Sequence, residues 1–223
     1  IITGKENEQI IRAFMNGKIL RNNLSGKCDS IHFSQLTGIA QLINKRNSLN
    51  ERSRKIKKPI LWNNKSQITG DSIHIKFDTD KNIIDSLFVF NNAFIIEKDT
   101  LEIGFNQISG KKLNGNFIDG KLKEVDIIKN AESVYYLRNS ENELIGIDKS
   151  KSAKIKILIS DQNIDTFTKI NQIDGNVYPE DEFNENDKLL KGFFFREDEI
   201  IKTIDDLFSE DKEFQFIKIK NLE

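Results

Sequence analysis

The chain has 223 residues, a formal net charge of −1, and 37% hydrophobic against 31% charged residues. Its single cysteine, Cys28, excludes an intramolecular disulfide, and the lack of any run of about 18 apolar residues excludes a transmembrane helix. This polar composition is normal for β-strands that bury one face and expose the other, so we expect one all-β domain.

A unit of strand and glycine recurs along the sequence. Short apolar strands are predicted to begin at Asn16, Pro59, Asn92, Asn130 and Gly175. An apolar-x-Gly step follows the first four, and its glycines are 44, 40 and 36 residues apart by subtraction of their numbers: Gly26, Gly70, Gly110 and Gly146. Repeats at such spacing indicate a stacked strand array, because one strand pair cannot bury its apolar face alone.

The first sixty residues predict strands and a basic loop. Residues 1–15 fit a short helix or an incoming strand, of which we take the strand, and residues 24–43 fit two strands joined by a turn. Residues 45–58 carry seven Lys or Arg and one Glu without an apolar period, which predicts a solvated loop. The charge could also attract anionic head groups, whereas the lack of interleaved aromatic residues argues against single-stranded nucleic acid. The candidate head-group contacts are Arg52, Arg54, Lys57 and Lys58.

Strands and tight turns alternate through the middle of the chain. Asp119-Gly120 predicts a two-residue hairpin turn. Residues 153–159 alternate strictly, with Ile155, Ile157 and Ile159 on one face and lysines on the other. The isoleucine face is therefore expected to be buried or to bind a ligand.

The composition changes after Pro179. The sequence is acidic and irregular at first, and Asp198 is the predicted N-cap of a short helix with an apolar stripe. A strand-like FQFIKIK follows near the end. We therefore divide the chain into a repeat array over residues 1–178 and a segment over residues 179–223 that caps one end of the array.

Residues typical of catalysis occur without the partners that catalysis requires. His32 and His74 occupy matching Asp-Ser-Ile-His strands, which a repeat explains, and the copy after Gly110 has no histidine. Zinc sites combine several ligands at short spacing, and a serine nucleophile needs a sharp elbow such as G-x-S-x-G. The sequence has neither, so we expect no enzyme activity, no cofactor and no metal.

The order and spacing of the motifs resemble those of the OstA-like proteins. This family includes periplasmic lipopolysaccharide-transport proteins of the LptA and LptD types, and the likeness is to its Bacteroidetes-like branch. The basic loop resembles an insertion relative to the family. The segments that carry the resemblance are Leu24–Ser30, Pro59–Trp62, Gln67–Ser72, Phe105–Gly110, Asp119–Leu122 with Tyr135 and Tyr136, and Leu190–Phe193 with Arg196.

The resemblance implies a fold, a ligand and partners. The fold would be one folded-over β-sheet, a β-jellyroll or β-taco, whose apolar slot carries lipid A acyl chains without catalysis. The protein would be periplasmic and associated with the outer membrane. Its partners would be lipopolysaccharide and other transport proteins, or further copies joined through edge strands, and no nucleic acid. The expected slot lining is Leu87, Val89, Phe94, Ile96, Phe105, Phe117, Val125, Ile127, Val134, Tyr136, Ile155, Ile157 and Ile159. For residues that follow an Asn turn, the predicted face depends on whether that turn contains a bulge.

Two alternatives remain open. The first is a structural β-solenoid or protein-interaction module whose interior is filled by its own side chains. The second is a hydrolase with its site in the loops, which would need polar groups clustered in a concave pocket. An interior too wide to be filled by its own Ile and Phe side chains would favour the carrier.

Overall fold

The computed structural model describes residues 1–6, 8–21, 24–43, 58–63, 65–101, 103–160 and 163–209. They form a 13-stranded sheet in which the pairings are antiparallel, which confirms the all-β prediction. No helix in these ranges is long and apolar enough to cross a membrane. The strands are β1 (Ile2–Thr3), β2 (Ile10–Arg21), β3 (Leu24–Ser34), β4 (Ile39–Ile43), β5 (Ile60–Asn63), β6 (Ser66–Thr69), β7 (Ser72–Asp78), β8 (Ile83–Lys98), β9 (Phe105–Ile118), β10 (Lys121–Arg138), β11 (Leu144–Ser160), β12 (Asn163–Ile170) and β13 (Asp174–Tyr178).

Pairs of short strands complete single long strands of the array. β3 pairs with β5 through its first residues and with β4 through its last residues. In the same way, β8 pairs with both β6 and β7, and β11 pairs with both β12 and β13. The array is therefore a succession of long antiparallel strands, three of which are interrupted.

The long strands bend at one shared corner. Asn16 in β2, Asn92 in β8 and Asn130 in β10 have positive φ angles of 74°, 51° and 51°, and the pairing register shifts beside each of them. Asparagine adopts this left-handed conformation more readily than most residues. The prediction that strands begin at these asparagines is therefore wrong: each asparagine lies inside a longer strand, at its bend.

The corner divides the sheet into two halves. The first half contains β4, β7 and β12, the second half contains β5, β6 and β13, and β2, β3 and β8 to β11 pass through both. One apolar cluster contains side chains of both halves, such as Ile73 and Leu87 from the first and Leu61 and Ile68 from the second. The sheet is therefore folded over on itself, and we call the space between the halves the interior.

Two glycines of the repeat lie at the inner side of the corner. A Cβ atom on Gly70 would lie 2.2 Å from a methyl carbon of Val89, and one on Gly110 would lie 2.4 Å from a methyl carbon of Ile127. Val89 and Ile127 belong to the first half, whereas each glycine follows or ends a strand segment of the second half. Glycine at these positions lets the two halves meet.

Several predicted elements are present. β3 and β4 are joined by a turn, and the Asp119-Gly120 turn between β9 and β10 has positive φ at both residues. Ile155 and Ile157 of β11 are buried, at 0% and 3% exposure. The predicted terminal strand lies outside the described residues.

Residues 179–209 cross the outer face of the second half, and we call them the strap. The strap contains three 3-10 turns (Glu180–Glu182, Glu185–Asp187, Glu197–Glu199) and a five-residue helix, α1 (Ile204–Phe208). The helix begins after Thr203, whose hydroxyl accepts the Asp206 N–H in a capping box, and not after Asp198 as predicted. The strap covers a face of the sheet, whereas the sequence predicted a cap at one end.

Candidate functional site

The interior is lined by rows of apolar side chains that face each other across neighbouring strands. Period-two alternation places one residue in two on this face. The central row of the first half contains Leu42, Ile73, Val89, Leu113, Ile127 and Ile155, each directly opposite the next and none more than 1% exposed. The second half contributes Leu61, Ile68, Ile95 and Ile108. The interior is thus apolar from β4 to β11 in the first half and from β5 to β9 in the second half.

Eight of the residues proposed as slot lining belong to the interior cluster or pack against it. Six of them are buried in the interior cluster, and Ile159 packs against it while partly exposed. Phe117 packs against the same cluster. The buried six are Leu87, Val89, Val125, Ile127, Ile155 and Ile157. Whether lipid occupies this face is a separate question from burial.

The interior is filled in this conformation. Its side chains pack directly across the space between the halves, and Ile127 and Ile155 are 0% exposed. Two cavities of about 210 and 250 Å³ lie among the hairpin turns of the first half and on the corner. Entry of a long ligand therefore requires the halves to separate.

The margin of the interior away from the corner, which we call the mouth, is crossed by aromatic contacts. The Arg21 guanidinium of the second half lies 5.1 Å from the ring centroid of Phe77 in the first half. Near the opposite edge of the array, the ring of Tyr135 lies 5.3 Å from that of Phe167. Such pairs each contribute about 1 kcal/mol when partly exposed.

The second half becomes polar towards the mouth. Ser66 pairs with Glu97 across β6 and β8, and Glu97 pairs with Asn106 of β9. The Ser66 hydroxyl donates to Glu97 Oε2 at 3.1 Å. Burial raises the pKa of Glu97, with the Ser66 bond opposing the shift, and burial together with the charge of Glu97 raises the pKa of Tyr135. The interior is therefore apolar at the corner and polar at one lip of the mouth.

The remaining five proposed lining residues lie on the opposite face of the second half. Phe94 and Ile96 belong to a second apolar cluster, whereas their neighbours Ala93 and Ile95 contact the interior. The second cluster also contains Phe183 and Leu190 of the strap. The prediction of one common lining is wrong here, because both faces of the second half are buried. The five are Phe94, Ile96, Phe105, Val134 and Tyr136.

Two glutamines that the sequence analysis missed hold the strap. Gln67 Nε2 donates to the Phe194 carbonyl at 2.8 Å, and its Oε1 accepts the Arg196 N–H at 2.7 Å. Gln107 makes the same paired bonds with Lys188 and Leu190, at 2.7 and 2.8 Å. Each amide therefore takes the place of a strand partner for the strap backbone. The matching segments Gln-Ile-Thr-Gly and Gln-Ile-Ser-Gly were the available signal.

The far end of the strap is held by charges. Arg196 donates to both carboxylate oxygens of Glu199 at 2.7 Å, and Lys27 lies 3.0 Å from the same carboxylate. Burial would raise the pKa of Glu199, but Arg196 and Lys27 outweigh it and lower the pKa. Lys18 of β2 donates to the carbonyls of Asp206 and Ser209 in the strap. Phe183 of the strap packs against Tyr178 of β13, so the strap spans the sheet from β13 to β2.

The proposed head-group lysines and arginines are mostly outside the described residues. Arg52, Arg54 and Lys57 lie there, while Lys58 is described. The Lys58 ammonium lies 3.1 Å from an Asp71 carboxylate oxygen, and its carbonyl accepts a bond from Arg196. Lys58 is therefore engaged in holding the corner and the strap.

The reactive residue types are not arranged as a catalytic or metal site in the described ranges. Cys28 is buried, and burial raises the pKa of its thiol to about 12. The His74 ring packs 4.8 Å from that of Phe90, and burial lowers its pKa. Among these residues, no group of at least three His, Cys, Asp or Glu side chains could hold a metal ion.

Comparison with known proteins gives a structural similarity only. No protein family and no curated protein matches the sequence. Five chains of solved structures match. One is LptH from Pseudomonas aeruginosa, described as the LptA-homologous periplasmic component of the lipopolysaccharide transport device, with 13% identity and a TM-score of 0.48 over 70% of this chain and 95% of LptH. The function proposed below therefore rests on the geometry of this chain and its sequence motifs.

Proposed function

We propose that this chain is a non-catalytic periplasmic carrier that binds the acyl chains of lipopolysaccharide between its two sheet halves, on the way to the outer membrane. The observation that carries the proposal is the interior itself. Apolar side chains of both halves form one surface that runs across the strands, and polar side chains lie at the lip of the mouth and at the β12 end of the interior. This distribution matches a lipid whose chains are apolar and whose head group is polar.

The energetics of exchange support the proposal. Separating the halves removes contacts between their apolar side chains, and inserted acyl chains replace those contacts. Each buried CH₂ contributes about 0.8 kcal/mol, so several chains can offset the loss of packing. The halves are continuous through the corner, where glycine and asparagine residues lie, so an opening motion has a defined hinge.

We assign different roles to the two apolar clusters. Residues of the interior cluster are the proposed contacts, whereas Phe94, Ile96, Phe105, Val134 and Tyr136 are proposed to hold the strap. The separation of these two sets gives the proposal a sharp internal control.

One observation favours a second candidate function. The interior is filled by its own side chains, as expected for a structural or interaction module that never opens. Such a module would use its exposed strand edges to bind protein partners. The two candidates differ in whether lipid reaches the interior.

Photo-cross-linking tests the proposal with a matched pair of phenylalanines. Phe117 packs against the interior cluster, and Phe105 packs against Phe193 and Phe195 of the strap. Each is replaced by benzoylphenylalanine, and the purified protein is irradiated with lipopolysaccharide and examined by mass spectrometry. The carrier predicts adducts at position 117 and none at position 105. Absence of adducts at both positions, or equal labelling of both, would contradict it.

A further inference from the structure

The central apolar row of the interior ends in a lysine. The row runs from Leu42 to Ile155, and the next residue in register, on β12, is Lys169. Its side chain is on the interior face, with the amine 5.9 Å from the ring of Phe167. An ammonium group thus continues an otherwise apolar row.

The facing row of the second half changes character at the same end. Ile68, Ile95 and Ile108 are followed in register by Ser133 of β10 and Ser150 of β11. Both serines are buried, at 0% and 4% exposure. Polar groups from the two halves therefore meet at the β12 end of the interior.

Asp148 connects these groups. Its Oδ1 accepts a bond from the Lys169 ammonium at 2.6 Å, and its Oδ2 accepts bonds from Ser150 at 3.0 Å and Ser133 at 3.4 Å. Asp148 belongs to the second half and Lys169 to the first, so the ion pair bridges the interior. The side chains of the pair are only 9% and 20% exposed.

A pair of this kind needs a reason other than stability. Replacing a buried ion pair by apolar residues of similar volume is commonly neutral or stabilising, because desolvation offsets the attraction. Inward-pointing charges can protect edge strands from pairing, and β12 lies at an edge of the first half. Edge protection does not account for an aspartate on the other half that holds this lysine and accepts bonds from two buried serines.

We propose that Lys169 binds an anionic group, such as a phosphate, of the amphiphile carried in the interior, and that Asp148 takes the place of that group when the interior is closed. This proposal rests on the proposed function. When the halves separate, Lys169 moves away from Asp148 with its own half and leaves an unpaired cation beside the apolar row. An anionic group at the end of buried acyl chains restores a charge-assisted bond to it.

The test compares two lysines on adjacent strands. Lys169→Met removes the interior ammonium and keeps an unbranched side chain of similar length. Lys156→Met is the control, since Lys156 of β11 is on the outer face in an ion pair with Glu124 at 2.9 Å. The probes are lipid A bearing its phosphates and the same lipid after phosphatase treatment, and affinity is measured for both. The unsubstituted protein and Lys156→Met should prefer the phosphorylated lipid by about tenfold, and Lys169→Met should lose the preference.

A second variant separates binding from folding. Because Lys169→Met leaves Asp148 without its cation, the double variant Lys169→Met/Asp148→Asn is measured in parallel. Both variants should bind the dephosphorylated lipid as tightly as the unsubstituted protein. Equal affinity of the unsubstituted protein for the two lipids, or a preference that survives Lys169→Met, overturns the role of Lys169 and leaves the carrier function standing. Failure of the unsubstituted protein to bind either lipid overturns the carrier function itself.

Discussion

Gly110 and Ile127 meet across the inner side of the corner, where a Cβ atom on the glycine would lie 2.4 Å from the Cγ2 of the isoleucine. Gly110 ends the second-half portion of β9, and Ile127 lies in the central row of the first half. The two halves can therefore approach this closely at the corner only because residue 110 has no Cβ atom.

A side chain at Gly110 should destabilise the fold. Gly110→Ala forces either Ile127 or the corner backbone to move, and overpacking of this kind raises the free energy of the folded state by about 1–3 kcal/mol. Urea unfolding measures the change. Lys111→Ala is the control, because Lys111 is the exposed next residue, and we expect a change within about 0.5 kcal/mol. Equal stability of the two variants would show that the corner has room to spare.

The attachment of the strap should depend on Gln107. Gln107→Met keeps the volume but leaves the Lys188 carbonyl and the Leu190 N–H without their partner, at a cost of about 1–3 kcal/mol. Hydrogen exchange at the Leu190 amide should accelerate, because the strap opens more often. Gln41→Met, on the outer face of the first half, should leave that exchange rate unchanged. If Leu190 remains equally protected, the apolar cluster alone holds the strap.

Sequence patterns predicted the alternation within each half but not across the corner. The isoleucines of β11 alternate with lysines, so their face could be assigned from the sequence. Beyond the corner of β8, Phe94 and Ile96 were assigned to the slot, but Ala93 and Ile95 are the residues that contact the interior. The strap covers the outer face of this half, so neither face is polar, and alternation carries no information about direction there.

A different reason explains why the polar groups of the interior were not predicted. Lys169 and Asp148 are separated by 21 residues and belong to different halves. Their contact follows from the fold-over of the sheet, which the sequence does not encode locally. By contrast, the two glutamines that hold the strap repeat before Gly70 and Gly110, so an internal comparison of the repeats could have found them.

Glu97 should make the protein less stable as the pH rises. The folded state raises the pKa of Glu97, so the folded protein retains a proton that the unfolded chain releases between its ordinary pKa and the raised one. Stability therefore falls as pH rises through that window. Glu97→Gln should raise the melting temperature at neutral pH, and the difference should disappear at a pH below the ordinary glutamate value.

The matched control for Glu97 is Glu132→Gln on β10. Glu132 pairs with Lys151 at 3.3 Å at a more exposed position. The control variant should not raise the melting temperature at neutral pH. A lower melting temperature for Glu97→Gln would mean that the charged carboxylate has a stabilising partner at the mouth.

Glu199 should have the opposite pH dependence. Arg196 and Lys27 lower the pKa of Glu199 against the effect of burial, so its contribution to stability is present above the ordinary glutamate value and is lost as pH falls through the lowered pKa. Acidification should therefore release the end of the strap. Limited proteolysis after residue 196 should show cleavage at acid pH in the unsubstituted protein and already at neutral pH in Glu199→Gln. Equal resistance of the two proteins at neutral pH would contradict this role.

Locking the mouth should block a carrier and leave a filled module unaffected. Tyr135 and Phe167 contact each other from opposite halves, so Tyr135→Cys together with Phe167→Cys allows a short thiol cross-linker to join the halves. The native Cys28 does not compete, because it is buried and burial raises its thiol pKa to about 12. A control pair, Lys156→Cys with Thr168→Cys, joins directly opposed residues of β11 and β12 on the outer face of the first half.

Both cross-linked proteins should remain folded by circular dichroism, because each link joins residues that are already adjacent. Lipid uptake distinguishes them, since only the first link prevents the halves from separating. We expect cross-linking at positions 135 and 167 to abolish uptake of added lipopolysaccharide, cleavage of the linker to restore it, and cross-linking at positions 156 and 168 to leave it unchanged. Uptake that persists in the locked protein would mean that lipid binds outside the interior, and the slot would then have to be sought on another surface of the sheet.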